Sequence, residues 1–334
     1  MEKISLYGLS GSGKSCYIFA MAQALSQGIR FSDGQILTVR CPEPRQMAQL
    51  HKAYQQLENG IWPAGNIESV DYRFNCRLAI AKQMDFDIKD YRGGLLNSDD
   101  DDEGEQNKLF DSFTGSNVLL FFIGADKIKE ALGGDHISVA DIDFMNILYE
   151  RYLDDSHDAK TPVMLVITKS DLLSDSEKDR AKSFIMNMFQ SMFGTGTNLT
   201  SAITMVTLGR NLSNVSGELE GELIIGPTAG NIQIPILYSL FCVISERIEQ
   251  STGQLVSAQD SYSSAQSALK KELNRSAFAR FFDSNEQVIR KKISTADNII
   301  GLEKEKLLKL SETLSRIKPI LLNGADLYIN GVKQ

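Results

Sequence analysis

The chain alternates short apolar runs with stretches of helical periodicity. Ile4-Ser5-Leu6-Tyr7 comes first, and Cys16, Phe19, Ala20 and Ala24 follow at helical spacing, predicting a strand, a short loop and a helix over about 14–27. Ser32-Asp33-Gly34 reads as a turn before a short strand at 36–39. Residues 44–58 predict a mostly polar helix with Met47, Leu50, Tyr54 and Leu57 on one face, then a loop punctuated by glycine and proline from Asn59 to Asn66. Two strands, about 68–77 and 79–88, are expected to pair antiparallel. The continuous apolar runs 118–123 and 162–167 have the character of strands buried on both faces. Ser138-Val139-Ala140-Asp141 reads as a capping box opening a helix to about 154, and Ser174-Asp175-Ser176-Glu177 as a second, opening a helix to about 193. A strand at 202–208 and a helix at 235–249 complete the alternation. Strands separated by helices of this length predict an α/β fold, doubly wound on a mainly parallel sheet.

From about residue 251 glycine and proline nearly vanish. Leu255, Tyr262, Leu269 and Leu273 recur, and then Ile289, Ile293, Ala296, Ile300, Leu307, Leu310, Leu314 and Ile317 step by threes and fours. This predicts a helical hairpin or coiled coil over 251–322, with Ser284-Asn285-Glu286 starting its second helix. The two helices either pack on the preceding domain or project toward a partner. The tail, 323–334, is either a short strand or unstructured.

Bulk numbers narrow the class. With 334 residues, a domain over 1–250 and a helical appendage are expected. A net charge of −8 argues against a general nucleic-acid binder. Cys16, Cys41, Cys76 and Cys242 have no paired spacing, and His51, His136 and His157 lie far apart, so neither a disulfide frame nor a histidine metal site is expected. The first strand starts at once, without a leader, and no apolar run reaches about 18 residues, so a cytoplasmic chain with no membrane span is expected. The acidic run Asp99 to Glu105 reads as a solvated segment.

Three motifs carry chemistry. Gly8-Leu9-Ser10-Gly11-Ser12-Gly13-Lys14-Ser15 matches G-x-x-x-x-G-K-[ST] between the first strand and its helix. Its glycines let successive N–H groups point into a cup for an anion, and the helix start adds a positive dipole end. Ser10 through Cys16 are therefore expected to line the phosphates, with Lys14 reaching the β- and γ-phosphates and Ser15 holding Mg²⁺. Thr168-Lys169-Ser170-Asp171 follows a buried strand and matches [NT]-K-x-D. A carboxylate at Asp171 can accept from guanine N1–H and the 2-amino group, which adenine does not offer in that arrangement. The Lys169 stem can lie over the base, and Thr168 can tie this loop to the phosphate loop. Asp90-Tyr91-Arg92-Gly93, a D-x-x-G, lies between the two in sequence. Asp90 is expected to serve Mg²⁺, and the Gly93 N–H the γ-phosphate.

In this order the three motifs resemble those of Ras-like GTPases of the translation-factor-related P-loop superfamily, over roughly residues 1–250. The stretch Leu57-Glu58-Asn59-Gly60-Ile61-Trp62-Pro63 also resembles the double-GTPase group of bacterial conflict systems. The resemblance implies GTP/GDP and Mg²⁺ binding and switch loops that respond to the nucleotide. It does not cover the helical part; a protein partner reached through the switch loops or the helical hairpin is a separate expectation, with oligomerisation a second route to a complete site.

The chain departs from that pattern at informative places. Asn66 stands where a Mg²⁺-contacting threonine is expected, and Gly94 stands where a water-orienting glutamine is common. The last guanine motif is reduced to Thr207-Leu208-Gly209, with backbone N–H groups of Leu208 and Gly209 toward the guanine carbonyl. Slow hydrolysis without a partner residue or dimerisation is the expectation. Arg92 reads either as a cis arginine for catalysis or as an ordinary exposed loop residue. A guanine-nucleotide-binding scaffold with little turnover is the alternative to a hydrolysing switch.

Overall fold

The computed structural model describes residues 2–63, 70–79, 81–90, 113, 115–155, 161–196, 199–215, 218–273 and 286–334. The chain divides into two compact units, Met1–Cys242 with Pro319–Gln334, and Val243–Lys318.

Among the described residues, the first unit is built on a ten-stranded sheet. Its strands are β1 (Glu2–Gly8), β2 (Ile29–Arg30), β3 (Ile36–Arg40), β4 (Val70–Leu78), β5 (Ala81–Asp90), β6 (Val118–Gly124), β7 (Val163–Thr168), β8 (Thr200–Met205), β11 (Ala325–Ile329) and β12 (Val332–Lys333). A separate hairpin pairs β9 (Gly209–Val215) with β10 (Glu218–Leu223). Across the sheet the order is β12-β11-β8-β7-β6-β1-β5-β4-β3-β2. The centre, β5-β1-β6-β7-β8, is parallel, and both flanks are antiparallel. Parallel strands need crossovers, and helices supply them: α1 (Lys14–Gln27), α3 (Ala125–Leu132), α4 (His136–Asp155), α5 (Asp175–Met188) and α6 (Gln190–Phe193), while α2 (Pro44–Glu58) joins the antiparallel neighbours β3 and β4.

Helices cover both faces of the centre, which is why β6 and β7 are buried at every position. On one face Tyr7, Phe113, Phe121, Tyr149 and Tyr152 pack ring to ring, with Tyr7 and Phe113 centroids 4.3 Å apart. On the other, Tyr17 of α1 meets Phe122 at 5.1 Å. Tyr238, in the first turns of the long helix α7 (Ile234–Leu273), shares its hydroxyl proton between the carbonyls of Val163 (2.8 Å) and Thr200 (2.7 Å), fastening that helix to the sheet. The tail forms a strand, because β11 pairs along β8 and β12 folds back on it.

Several local expectations change. The helix expected from Ser138 starts at His136, since Asp135 accepts the Ser138 N–H at 2.9 Å and caps it. The Ser138 hydroxyl turns to Glu130 instead, at 2.8 Å. The second box is formed as read, with Ser174 and Glu177 bonded reciprocally. Its helix breaks at Phe189 rather than running to 193. All four cysteines are buried free thiols. The acidic run 99–105 lies outside the described residues.

The second unit holds the rest of α7 and most of α8 (Glu286–Gly324). Along α7 the buried Ser251, Ala258 and Ala265 recur every seven residues with half-buried Leu255 and Tyr262 between them, a heptad seam. On α8 the row runs Ile289, Ile293, Ala296, Ile300, Glu303, Leu307 and Leu310, with Glu303 paired to Lys306 at 3.5 Å. Pro319 sits inside α8 where the second unit ends. Among the described residues no helix is long and apolar enough to cross a membrane.

Candidate functional site

The parallel strands end along one rim, and the motif residues gather there. Gly8 ends β1, Asp90 ends β5, Gly124 ends β6 and Thr168 ends β7. Parallel α/β sheets bind ligands at this end, because loops and helix N-termini converge there.

The loop between β1 and α1 is shaped by its glycines. A Cβ on Gly8 would stand 2.3 Å from the Phe122 carbonyl, so β6 can approach β1 only if residue 8 is glycine. Gly13 caps α1 in the left-handed conformation (φ +83°), which turns the backbone into the helix. Lys14 lies along the loop, donating to the carbonyls of Gly8 (2.6 Å) and Leu9 (3.1 Å) and to Ser12 Oγ (3.3 Å). Burial lowers its pKa to about 8, against an opposing pull from Asp90. The Cys16 thiol is pushed up to about 12 by burial, which the nearby Lys169 ammonium partly offsets; this thiol is inert at neutral pH.

Ser15 donates to Asp90 Oδ2 at 2.7 Å, and Asp90 is fully buried. Parallel pairing sets Asp90 beside Leu6, two residues before the loop begins. A hydroxyl and a carboxylate at a helix start form a hard, all-oxygen donor pair, and this pair fits Mg²⁺. Asn66, the third expected ligand, lies outside the described residues, as do Arg92, Gly93 and Gly94.

The second motif is bound to the first. Thr168 Oγ1 donates to the Ser12 carbonyl at 2.6 Å, joining the end of β7 to the phosphate loop. Lys169 adopts the left-handed conformation (φ 53°) and pairs through its ammonium with Asp126, in the first turn of α3. Asp171 follows in a 3-10 turn, Ser170–Leu172. The Thr207 hydroxyl lies 2.8 Å from Asp171 Oδ1 and the Leu212 N–H donates to Oδ2 at 2.9 Å. Leu208 and Gly209 follow directly. The Leu208 carbonyl accepts from the Ile224 N–H (2.8 Å), and the Gly209 N–H donates to Thr207 Oγ1 (3.1 Å).

Sequence reasoning missed two members of this group. Asp126 carried a signal, since it follows the end of a buried parallel strand, where functional residues concentrate. Leu212 carried none, because it acts through its backbone.

No protein-family model matches the sequence, and neither does any curated protein. Solved structures similar to this chain include the signal recognition particle receptor SRb-GTP/SRX complex from Chaetomium thermophilum. That match has 12% identity over 62% of this chain and 90% of the other, with a TM-score of 0.38. Elongation factor SelB from Methanococcus maripaludis, in complex with the GTP analogue GppNHp, matches at 14% identity and a TM-score of 0.32. A bacterial selenocysteine-specific elongation factor, EF-Sec, matches at 12% and 0.33. Each of these two matches covers 62% of this chain, but only 30% and 26% of the elongation factors. At such identities and scores these likenesses carry no functional weight, and the residues of the site must supply it.

Proposed function

We propose that the chain binds GTP with Mg²⁺ and hydrolyses it to GDP and phosphate, serving as a nucleotide-dependent switch for a protein partner. The observation that carries this reading is the bond from Thr168 to the Ser12 carbonyl. It makes the phosphate cup and the base-reading loop one site, with Asp171 three residues beyond the tie.

Each residue has a distinct task. The loop amides and the α1 start hold the phosphates, and the Lys14 ammonium leaves the carbonyls of Gly8 and Leu9 to meet the β- and γ-phosphate oxygens. Ser15 and Asp90 would hold Mg²⁺, which when bound supplies positive charge to the phosphate oxygens. Asp171 accepts from guanine N1–H and the 2-amino group. Asp126 holds the Lys169 ammonium, so that the lysine stem is laid across the rim where the base sits. The Gly93 N–H and Arg92 are assigned to the γ-phosphate side on motif alone. Gly94 has no side chain to orient a water, which supports slow turnover until a partner or second copy supplies the missing group. A partner surface is supported by apolar side chains exposed on α8, with Leu302 66% and Leu308 61% accessible. The conflict-system setting rests on residues 57–63 alone.

Gly94 also favours the second reading, a scaffold that binds guanine nucleotide with little turnover. Titration with GTP and ATP, for wild type and Asp171→Asn, tests base reading. The expected result is a strong preference for GTP that Asp171→Asn abolishes. Equal preference in both proteins refutes the role of Asp171. Single-turnover hydrolysis then separates switch from scaffold, and fast turnover by dilute monomer contradicts the partner requirement.

A further inference from the structure

The β9–β10 hairpin follows Thr207, and its backbone enters the base-reading site. Its register pairs Ser213 with Glu220 and Arg210 with Glu222, skipping Asn211, Leu212 and Gly221. This is a bulge, built with Asn211 in the left-handed region (φ 51°) and Gly221 at φ 99°. A Cβ on Gly221 would stand 2.5 Å from the Asn211 carbonyl, so only glycine permits this close crossing. The bulge takes the Leu212 N–H out of the hairpin ladder and directs it to Asp171 Oδ2, at 2.9 Å.

The two donors on Asp171 differ in how readily they leave. Thr207 has one hydroxyl proton and two acceptors for it, Asp171 Oδ1 at 2.8 Å and the Gly209 carbonyl at 2.7 Å. Rotation toward Gly209 releases Oδ1 without losing a bond. The Leu212 N–H stands outside the ladder and has no such substitute in the register. Guanine presents two adjacent donors and needs both carboxylate oxygens.

Resting on the base-reading role of Asp171, we propose that Leu212 is an affinity- and specificity-determining residue of the base site. Its N–H holds the acceptor that the guanine edge takes, so guanine enters by replacing it and the hairpin shifts with base occupancy. Adenine brings no pair of donors to make that replacement. ATP therefore leaves the Leu212 bond in place, so the contact costs guanine binding alone and narrows the preference for guanine. The hairpin becomes a part of the surface whose position reports that the base is bound.

Leu212→Pro removes the N–H at a bulge, a position where strands tolerate proline, while Leu212→Ala keeps it. In full-length protein, Leu212→Pro is expected to tighten GDP binding about tenfold, the scale of one hydrogen bond to a charged group. Leu212→Ala is expected to stay within about twofold of wild type, because its N–H is intact. Unchanged or weaker binding by Leu212→Pro, or equal shifts in both variants, overturns the proposal. Should the proline variant not fold, amide hydrogen exchange in wild type decides. The Leu212 N–H is expected to be protected, to lose protection on adding GDP and to keep it on adding ATP. Protection that persists with GDP bound overturns the proposal while leaving base reading by Asp171 intact. Wild type that binds no guanine nucleotide, with no gain in Leu212→Pro, overturns both.

Discussion

Thr168 ends β7 with its hydroxyl 2.6 Å from the Ser12 carbonyl, 156 residues away in the chain. Both residues are nearly sealed from water, Thr168 at 5% and Ser12 at 3% exposure. On the proposed function, the bond couples the two loops that the nucleotide would touch at its opposite ends. Thr168→Val keeps the shape and removes the donor, leaving a buried carbonyl unsatisfied. A stability loss of about 1–2 kcal/mol by urea denaturation is expected, with weaker GDP binding. Thr168→Ser should restore most of both, and a Thr168→Val protein with wild-type affinity would show that the tie is structural only.

Lys14 gives the site a pH dependence whose sign can be worked out. Its folded pKa is about 8 against 10.5 for an ordinary lysine, because burial penalises the ammonium. Between these values the unfolded chain binds more protons than the folded one, so this group makes stability rise with pH across that window. Below it the buried charge costs roughly 3 kcal/mol. Lys14→Met is therefore expected to be more stable than wild type near pH 7, with the gap closing toward pH 10. Phosphate restores the ammonium, so nucleotide binding above pH 8 should take up a proton and weaken as pH rises. Calorimetry in buffers of different ionisation heat measures that uptake, which Lys14→Met should lack.

Much of this site was legible because its chemistry is local. Gly8 to Ser15 needs a turn, an anion cup and a helix start within eight residues, and the apolar runs on either side state which strand and helix they serve. The same holds for Thr168 to Asp171 after the buried run 163–167. What escaped depends on distant pairing. The α3 helix, only eight residues long, has too few turns to show a clear period. Ser138 looks like a cap because serine often is one, but it is the third residue of the helix, and its own N–H is capped by Asp135, the residue before the helix. Leu212 had no signal at all, since a backbone amide is the same in every residue and only the bulge at Gly221 aims it.

Two glycines of the phosphate loop separate crowding from backbone strain. A Cβ on Gly8 meets the Phe122 carbonyl at 2.3 Å and Ser12 Oγ at 2.8 Å, and the carbonyl belongs to a neighbouring strand that cannot yield. A Cβ on Gly11 meets nothing within 4 Å, though φ there is +74°. Gly8→Ala should cost about 3 kcal/mol or more, by forcing β1 and β6 apart. Gly11→Ala should cost about 1–2 kcal/mol, the price of a left-handed alanine. Thermal unfolding of both variants checks the ranking, and equal losses would refute the crowding argument at Gly8.

Ser15 and Asp90 make a prediction about magnesium that is independent of the base. Their 2.7 Å bond places a hydroxyl and a buried carboxylate at the start of α1, where the β- and γ-phosphates would lie. Wild-type affinity for GDP should tighten when MgCl₂ is added and loosen when EDTA removes it. Ser15→Ala lacks the hydroxyl but keeps the loop amides and Asp171, so it should bind GDP weakly and equally with and without magnesium. Its preference for guanine over adenine should survive, because the residues proposed to read the base lie past the ends of β7 and β8, away from Ser15. A magnesium response in Ser15→Ala equal to that of wild type would remove Ser15 from the metal site and leave the carboxylate of Asp90 to be tested by itself.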